Sequence, residues 1–215
     1  MRTYKLIIAY DGTRYQGWQR QGNTDRTIQG LLERVIGEQT GYTVEINGSG
    51  RTDAGVHAKG QTASIVLAGQ PEDGFFTERV NRFLPEDIRI LDARLVKNGF
   101  HARKSAVGKV YEYHIDTGEK PDVFTRRYCC HFPGELDLGR MREAAGYLTG
   151  THEFQAYTDK RDENSTRRTI YDIMVSGQGG RVTVVYKGSG FLYHMVRILT
   201  GTLLEAGTHQ RTAKS

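Results

Sequence analysis

The residues with the most chemical promise surround one aspartate. Asp53 lies in Gly48-Ser-Gly-Arg-Thr-Asp-Ala-Gly-Val-His-Ala58, a stretch too rich in glycine and polar residues to be core. A carboxylate held there can serve as a nucleophile or a base. Residues 44–47 and 61–67 read as strands, so Asp53 is expected on a connection between two strands, where catalytic groups are often carried on a rigid scaffold. Arg51 stands two residues before it and His57 four after. An aspartate beside glycine can equally be a turn residue bonding its own backbone, and spacing alone leaves both readings open.

The elements that must position this loop follow from pattern. Residues 3–10 alternate around Leu6 and Ile8 and read as a strand ended by Asp11-Gly12. Thr27 can cap a helix with Ile28, Leu31, Leu32, Val35 and Ile36 on one face, stopped by Gly41. Residues 75–83 read as a short helix and 88–96 as a strand. The second half repeats the order. Residues 109–116 are a strand, Asp137 caps a helix carrying Leu138, Met141, Ala145 and Leu148, and 169–176 and 181–187 are strands. A last helix is expected over 190–205, with Leu192, Met195, Val196, Leu199 and Leu203 inward.

This predicts an α+β protein of two split-βαβ, ferredoxin-like halves, 1–105 and 106–215, with helices on one face of each antiparallel or mixed sheet. The second half reads as one strand short. Residues 209–215 show no strand pattern, and the chain is expected to be a truncated form.

Composition narrows the class. The 215 residues are 37% hydrophobic and 26% charged, enough to build a core. No apolar run is long enough for a membrane span and the N-terminus has no secretory pattern, so a cytoplasmic location is expected. The two cysteines, Cys129 and Cys130, are adjacent and form no CxxC motif, so they read as reduced thiols in or beside a strand. The histidines lack metal-ligand spacing, and His194, inside a helical pattern, reads as a packing or hydrogen-bonding residue. The net charge of +5 and a pI near 9.2 suit a polyanionic partner, although many solvated surfaces carry as much. The basic residues come in small groups, such as Arg126 with Arg127 and Lys160 with Arg161.

Five stretches in order resemble the TruA-type tRNA pseudouridine synthases over residues 4–207. They are Tyr10-Asp-Gly-Thr-Arg-Tyr-Gln-Gly-Trp-Gln-Arg-Gln21, the Asp53 stretch, Phe100-His-Ala-Arg103, Lys109-Val-Tyr-Glu-Tyr113 and Gly188-Ser-Gly-Phe-Leu-Tyr-His-Met-Val-Arg197. The resemblance implies isomerisation of uridine to pseudouridine in the anticodon stem-loop of tRNA, at tRNA positions 38–40, by a homodimer with no metal or cofactor. It makes Asp53 the catalytic aspartate, Arg197 the cation that pairs with it, and Tyr111 the residue at the target uridine. Burial of Arg197 is expected from the apolar run before it. Arg51 can enter the space left by a flipped base or hold the backbone, and His101 and Arg103 can bind RNA. Trp18 can stack on a base or plug a hydrophobic gap. Tyr111 can instead be a strand tyrosine in the core, with Tyr113 the better core candidate. The family continues past this point into a further helix and a closing strand.

Two other readings compete. A non-catalytic RNA-binding module would account for charge and aromatics but not for the arginine-framed Asp53, and the usual RNA-recognition strand motif is absent. A glycosidic hydrolase normally needs two carboxylates, and no second acid lies near Asp53 in sequence.

Overall fold

Alternation sets the first strand. In Arg2–Tyr10 (β1), Tyr4, Leu6, Ile8 and Tyr10 are buried on one face, as a period of two requires. The computed structural model describes residues 1–160 and 165–214. Arg161 and Ser215 of the sequence reading lie outside the described residues. The chain forms two units, Met1–Ala106 and Val107–Ser215, each with its own core.

In the first unit, β1 is flanked on both sides by antiparallel strands, Ala58–Leu67 (β3) and Ile88–Val96 (β4). Ile46–Gly48 (β2) adds to β3, giving the sheet order β2-β3-β1-β4. The helix Ile28–Thr40 (α1) begins where Thr27 accepts the Gly30 N–H and ends at Gly41 in the left-handed conformation. Its Ile28, Leu32, Val35 and Ile36 share one core with the inward residues of β1 and β3. Glu33 of α1 is buried, and its carboxylate accepts the Ile46 N–H at 3.0 Å and the Gln29 amide at 2.9 Å. That polar tie fixes β2, the strand that leads into the Asp53 loop.

The helix expected over 75–83 is not a regular α-helix. Phe75–Arg79 is a wide π-type turn and Val80–Arg82 a 3-10 turn. Gly74 starts it at φ 77°, and its carbonyl accepts from both Glu78 and Arg79. The wide turn brings the consecutive Phe75 and Phe76 into the core together, their rings 5.1 Å apart.

In the second unit, Lys109–Asp116 (β5) pairs antiparallel with Arg181–Gly188 (β9), and β9 with Arg167–Gln178 (β8). Two short strands escaped the pattern reading: Cys130–His131 (β6), parallel to the end of β5, and Gly150–Glu153 (β7), antiparallel to β8. Among the described residues the sheet therefore has five strands, in the order β6-β5-β9-β8-β7. Leu138–Leu148 (α2) starts at Asp137, whose side chain accepts the Arg140 N–H. Its Met141, Ala144 and Ala145 share one core with Val182, Val184 and Tyr186 of β9.

The last helix also departs from expectation. It spans Met195–Gly207 (α3), and residues 190–194 form a non-helical lead-in. His194 sits at φ 58° as its N-cap, rather than inside a helix. Leu192 is buried ahead of the helix, its N–H directed at Met195 Sδ. The lead-in puts Leu192 in phase with the helix's apolar face, which is why spacing could not separate the two. No described helix is long and apolar enough to cross a membrane.

Candidate active site

Asp53 stands where strand patterning puts it, between β2 and β3 and partly buried. The residues after it form a tight turn in which the Val56 N–H donates to the Asp53 carbonyl at 3.1 Å. Gly55, third in that turn, has φ 77°, a conformation glycine adopts without strain. The expected turn is thus present, and its closing bond uses Asp53's main chain.

The loop is clamped by the opening loop, residues 10–21. The Trp18 N–H donates to the Thr52 carbonyl at 3.0 Å, and the Gly55 N–H to the Tyr15 carbonyl at 3.3 Å. The Tyr10 and Thr52 hydroxyls bond at 2.8 Å. Two glycines permit this approach. A Cβ on Gly17 would come within 2.6 Å of the Thr52 carbonyl oxygen, and one on Gly12 would strike the Val56 carbonyl. At its start the loop is tied to β3, where Ser49 Oγ and the Gly50 carbonyl both bond the Gln61 amide. The two glycine-rich motifs are one structure.

His57 closes the loop's far end. Its Nδ1 faces the Gly12 N–H at 3.1 Å and Asp11 Oδ1 at 2.9 Å. One nitrogen cannot serve both at once: without a hydrogen Nδ1 accepts from Gly12, and with one it donates to Asp11.

Trp18 is 2% exposed. Its indole lies where a Cβ on Gly48 would fall, and its ring centroid is 5.9 Å from that of Tyr10. It is a hydrophobic plug under the loop, and the base-stacking reading is set aside. Arg51 is exposed on the loop. His101 and Arg103 flank Ala102, which is buried and donates its N–H to Ser64 Oγ of β3 at 3.0 Å. Arg103 is exposed. His101 lines a cavity of about 270 Å³ with Tyr42, Glu45 and Val66, to which residues 49–57 contribute nothing.

In the second unit, Tyr111 of β5 is partly buried, with its ring edge-to-face on Phe191 at 5.2 Å. Tyr113 is partly buried too, packed against the same core; Tyr186 is fully buried, its hydroxyl 2.8 Å from Thr200 Oγ1. Burial raises the pKa of the Tyr113 hydroxyl and the neighbouring Cys130 thiol adds to it, while the Arg197 charge opposes both. Arg197 is exposed, not buried: it lies on α3 between the inward positions Met195 and Leu199. The Tyr113–Cys130–Arg197 grouping had no signal in the sequence, because β6 is too short to show a pattern. Cys129 and Cys130 are both free thiols. His194 Nδ1 lies 2.6 Å from Asp159 Oδ2 and its ring stacks on Tyr193, in line with a hydrogen-bonding role. Among the described residues, no group of three or more His, Cys, Asp or Glu could hold a metal ion.

Fold and loop define the class: a protein of mixed α and β structure, with two units of antiparallel or mixed sheet and helix, carrying a carboxylate on an anchored, glycine-framed loop. A family model described as tRNA pseudouridine synthase matches residues 6–103 and 144–215, and the chain belongs to that family. It is 42% identical over 212 residues to tRNA pseudouridine synthase A of Bacillus sp. (strain KSM-64), covering 98% of this chain and 87% of the relative. It is 44% identical to tRNA pseudouridine synthase A of Acetivibrio thermocellus, over 96% of this chain and 85% of that protein. With tRNA pseudouridine synthase A 2 of Bacillus anthracis the identity is 41%, over 100% and 88%.

Proposed function

We propose that this tRNA pseudouridine synthase, an isomerase converting uridine to pseudouridine in tRNA, acts on the anticodon stem-loop and uses Asp53 as its catalytic carboxylate. The observation that carries the assignment is the clamp: Trp18 and Tyr15 of the opening loop bond Thr52 and Gly55 through the main chain, at an approach that Gly12 and Gly17 leave open. A group that must meet a sugar carbon needs a fixed approach, and an ordinary surface turn needs no such scaffold.

The reaction breaks the bond from N1 of the base to C1′ of the ribose, turns the base, and joins C5 to C1′. N1 gains a proton and C5 loses one, so the change is redox neutral. Asp53 either attacks C1′ as a nucleophile or takes a proton from the sugar after the bond breaks. Both routes need it ionised. Arg197 is assigned as the supporting cation, since a guanidinium keeps its charge and can bond a carboxylate through two prongs. Tyr111 contacts the target uridine and can take the C5 proton through its hydroxyl. Its contact with Phe191 orients the ring. Arg51, exposed on the Asp53 loop, enters the gap left by the flipped base or holds the backbone. Arg103 and His101 add RNA contacts outside it.

The strand order β2-β3-β1-β4 with α1 between β1 and β2 supports a split-βαβ reading of the first unit, and β8-β9-β5 with α2 supports the same for the second. We further infer a homodimer working in the cytoplasm without a cofactor. The test is tritium release from tRNA labelled at uridine C5. Pseudouridine formation frees the label. A binding module would release none, and a glycosidic hydrolase would leave abasic sites.

A further inference from the structure

Phe124 is 87% exposed and Val123 58% exposed, at the tip of a loop between β5 and β6. Such exposure usually marks a floppy segment, yet this loop is internally braced. Asp116 accepts the N–H groups of Gly118 and Asp122 at 3.1 and 3.2 Å. Asp122 in turn accepts the Phe124 N–H at 2.9 Å and the Thr125 hydroxyl at 2.8 Å, and pairs with Arg181 of β9 at 3.0 Å. The Asp122 carbonyl takes the N–H groups of Thr125 and Arg126, the Arg126 guanidinium bonds the Val123 carbonyl, and the Gly118 carbonyl bonds His131 Nε2. The chain therefore spends many polar groups on holding one phenyl ring out in solvent.

The surroundings say what the ring meets. Lys120, Arg126 and Arg127 are exposed within four residues of it, as is Tyr128, 47% exposed. Glu119 is the one acid of residues 117–128 not engaged in bracing the loop; Asp122 is consumed by Arg181. Flat rings among cations suit an RNA strand, with phosphates on the cations and an unstacked base on the ring. Duplex RNA hides its base faces, so the ligand is unpaired nucleotides. A single loop tip is also far smaller than a stable protein–protein interface requires.

We propose that residues 120–128 form an RNA-docking loop that stacks an unpaired tRNA nucleotide on Phe124. The proposal rests on the tRNA-modifying reading but concerns a loop to which that reading gives no role. Its effect is on substrate binding and not on the chemical step.

The test compares wild type, Phe124→Ala and Phe124→Trp for tRNA binding, tRNA turnover, thermal midpoint and sedimentation. Because the ring is exposed, Phe124→Ala is expected to keep its thermal midpoint. It should weaken tRNA binding roughly tenfold, as loss of one stacked base does, and raise KM while leaving kcat unchanged. Phe124→Trp should restore affinity. The natural tryptophan, Trp18, is buried, so the added indole should be quenched on binding tRNA but not on binding a fully paired RNA hairpin. Unchanged tRNA affinity for Phe124→Ala in an active preparation overturns the proposal. So does an equal loss of affinity for tRNA and paired hairpin, or a change in sedimentation without tRNA, which would make this a protein-docking surface. A wild-type protein that binds tRNA through Phe124 yet makes no pseudouridine would overturn the catalytic reading and leave this one standing.

Discussion

At the residue scale, Asp53 and Trp18 show how differently two polar-loop residues can be used. Both lie in motifs with similar glycine content, yet Trp18 is 2% exposed beneath the loop and Asp53 is partly accessible above it. Asp53→Asn keeps the shape of the side chain and removes the charge that attack or proton removal requires. Pseudouridine formation should fall by more than a thousandfold in single-turnover assays while tRNA affinity stays within a fewfold of wild type. Substantial remaining turnover would remove Asp53 from the chemistry. Asp53's place between two strands was legible because strand alternation and the glycine run are local signals. The partners of its loop were not. Tyr10 and Thr52 are 42 residues apart, and Gly12 and His57 are 45 apart, so no local period links them.

At the element scale, the Asp53 loop depends on what lies under it. Trp18→Ala would leave a cavity between Gly48 and Tyr10, and deleting a buried tryptophan typically costs about 3–5 kcal/mol. Denaturant unfolding should show a loss of that order, with turnover falling at temperatures where the variant is still folded. The loop after β5 should respond to acid. Asp116 has its pKa lowered first by the Gly118 N–H and then by that of Asp122, and Asp122 chiefly by the Phe124 N–H. A depressed carboxylate stabilises the fold above its unfolded pKa and loses that contribution as pH falls through the folded value. The bracing should therefore hold unchanged from pH 7 to 5 and fail only below about pH 4, the ordinary carboxylate pKa. Amide signals of Gly118, Asp122 and Phe124 in NMR would shift together in that range. Amide movement confined to higher pH would remove the two carboxylates from the bracing. Capping residues were legible: Thr27, Gly41 and Asp137 act as their types predict. The two-residue β6 and the turn over 75–82 were not, because they are too short for a period to register.

At the scale of the whole molecule, a net charge of +5 predicts salt-sensitive tRNA binding. Each phosphate neutralised contributes a log–log slope of roughly −0.7 on single-stranded RNA, so affinity should fall steeply between low and moderate salt. A flat profile would mean that the basic residues are only a solvated surface. The sequence by itself determined the longer strands, the helices Ile28–Thr40 and Leu138–Leu148, the helix caps, the strand-to-strand position of Asp53 and the family of the chain. All of these rest on short-range periodicity, on residue chemistry at a single backbone position, or on ordered motifs. Only the tertiary structure decided that Trp18 is a plug, that Arg197 is exposed, that Glu33 pins β2 through the Ile46 N–H, and that Phe124 is braced outward. Burial and bracing depend on which distant segment arrives opposite a residue, and that is set by packing the whole core and not by any neighbour along the chain.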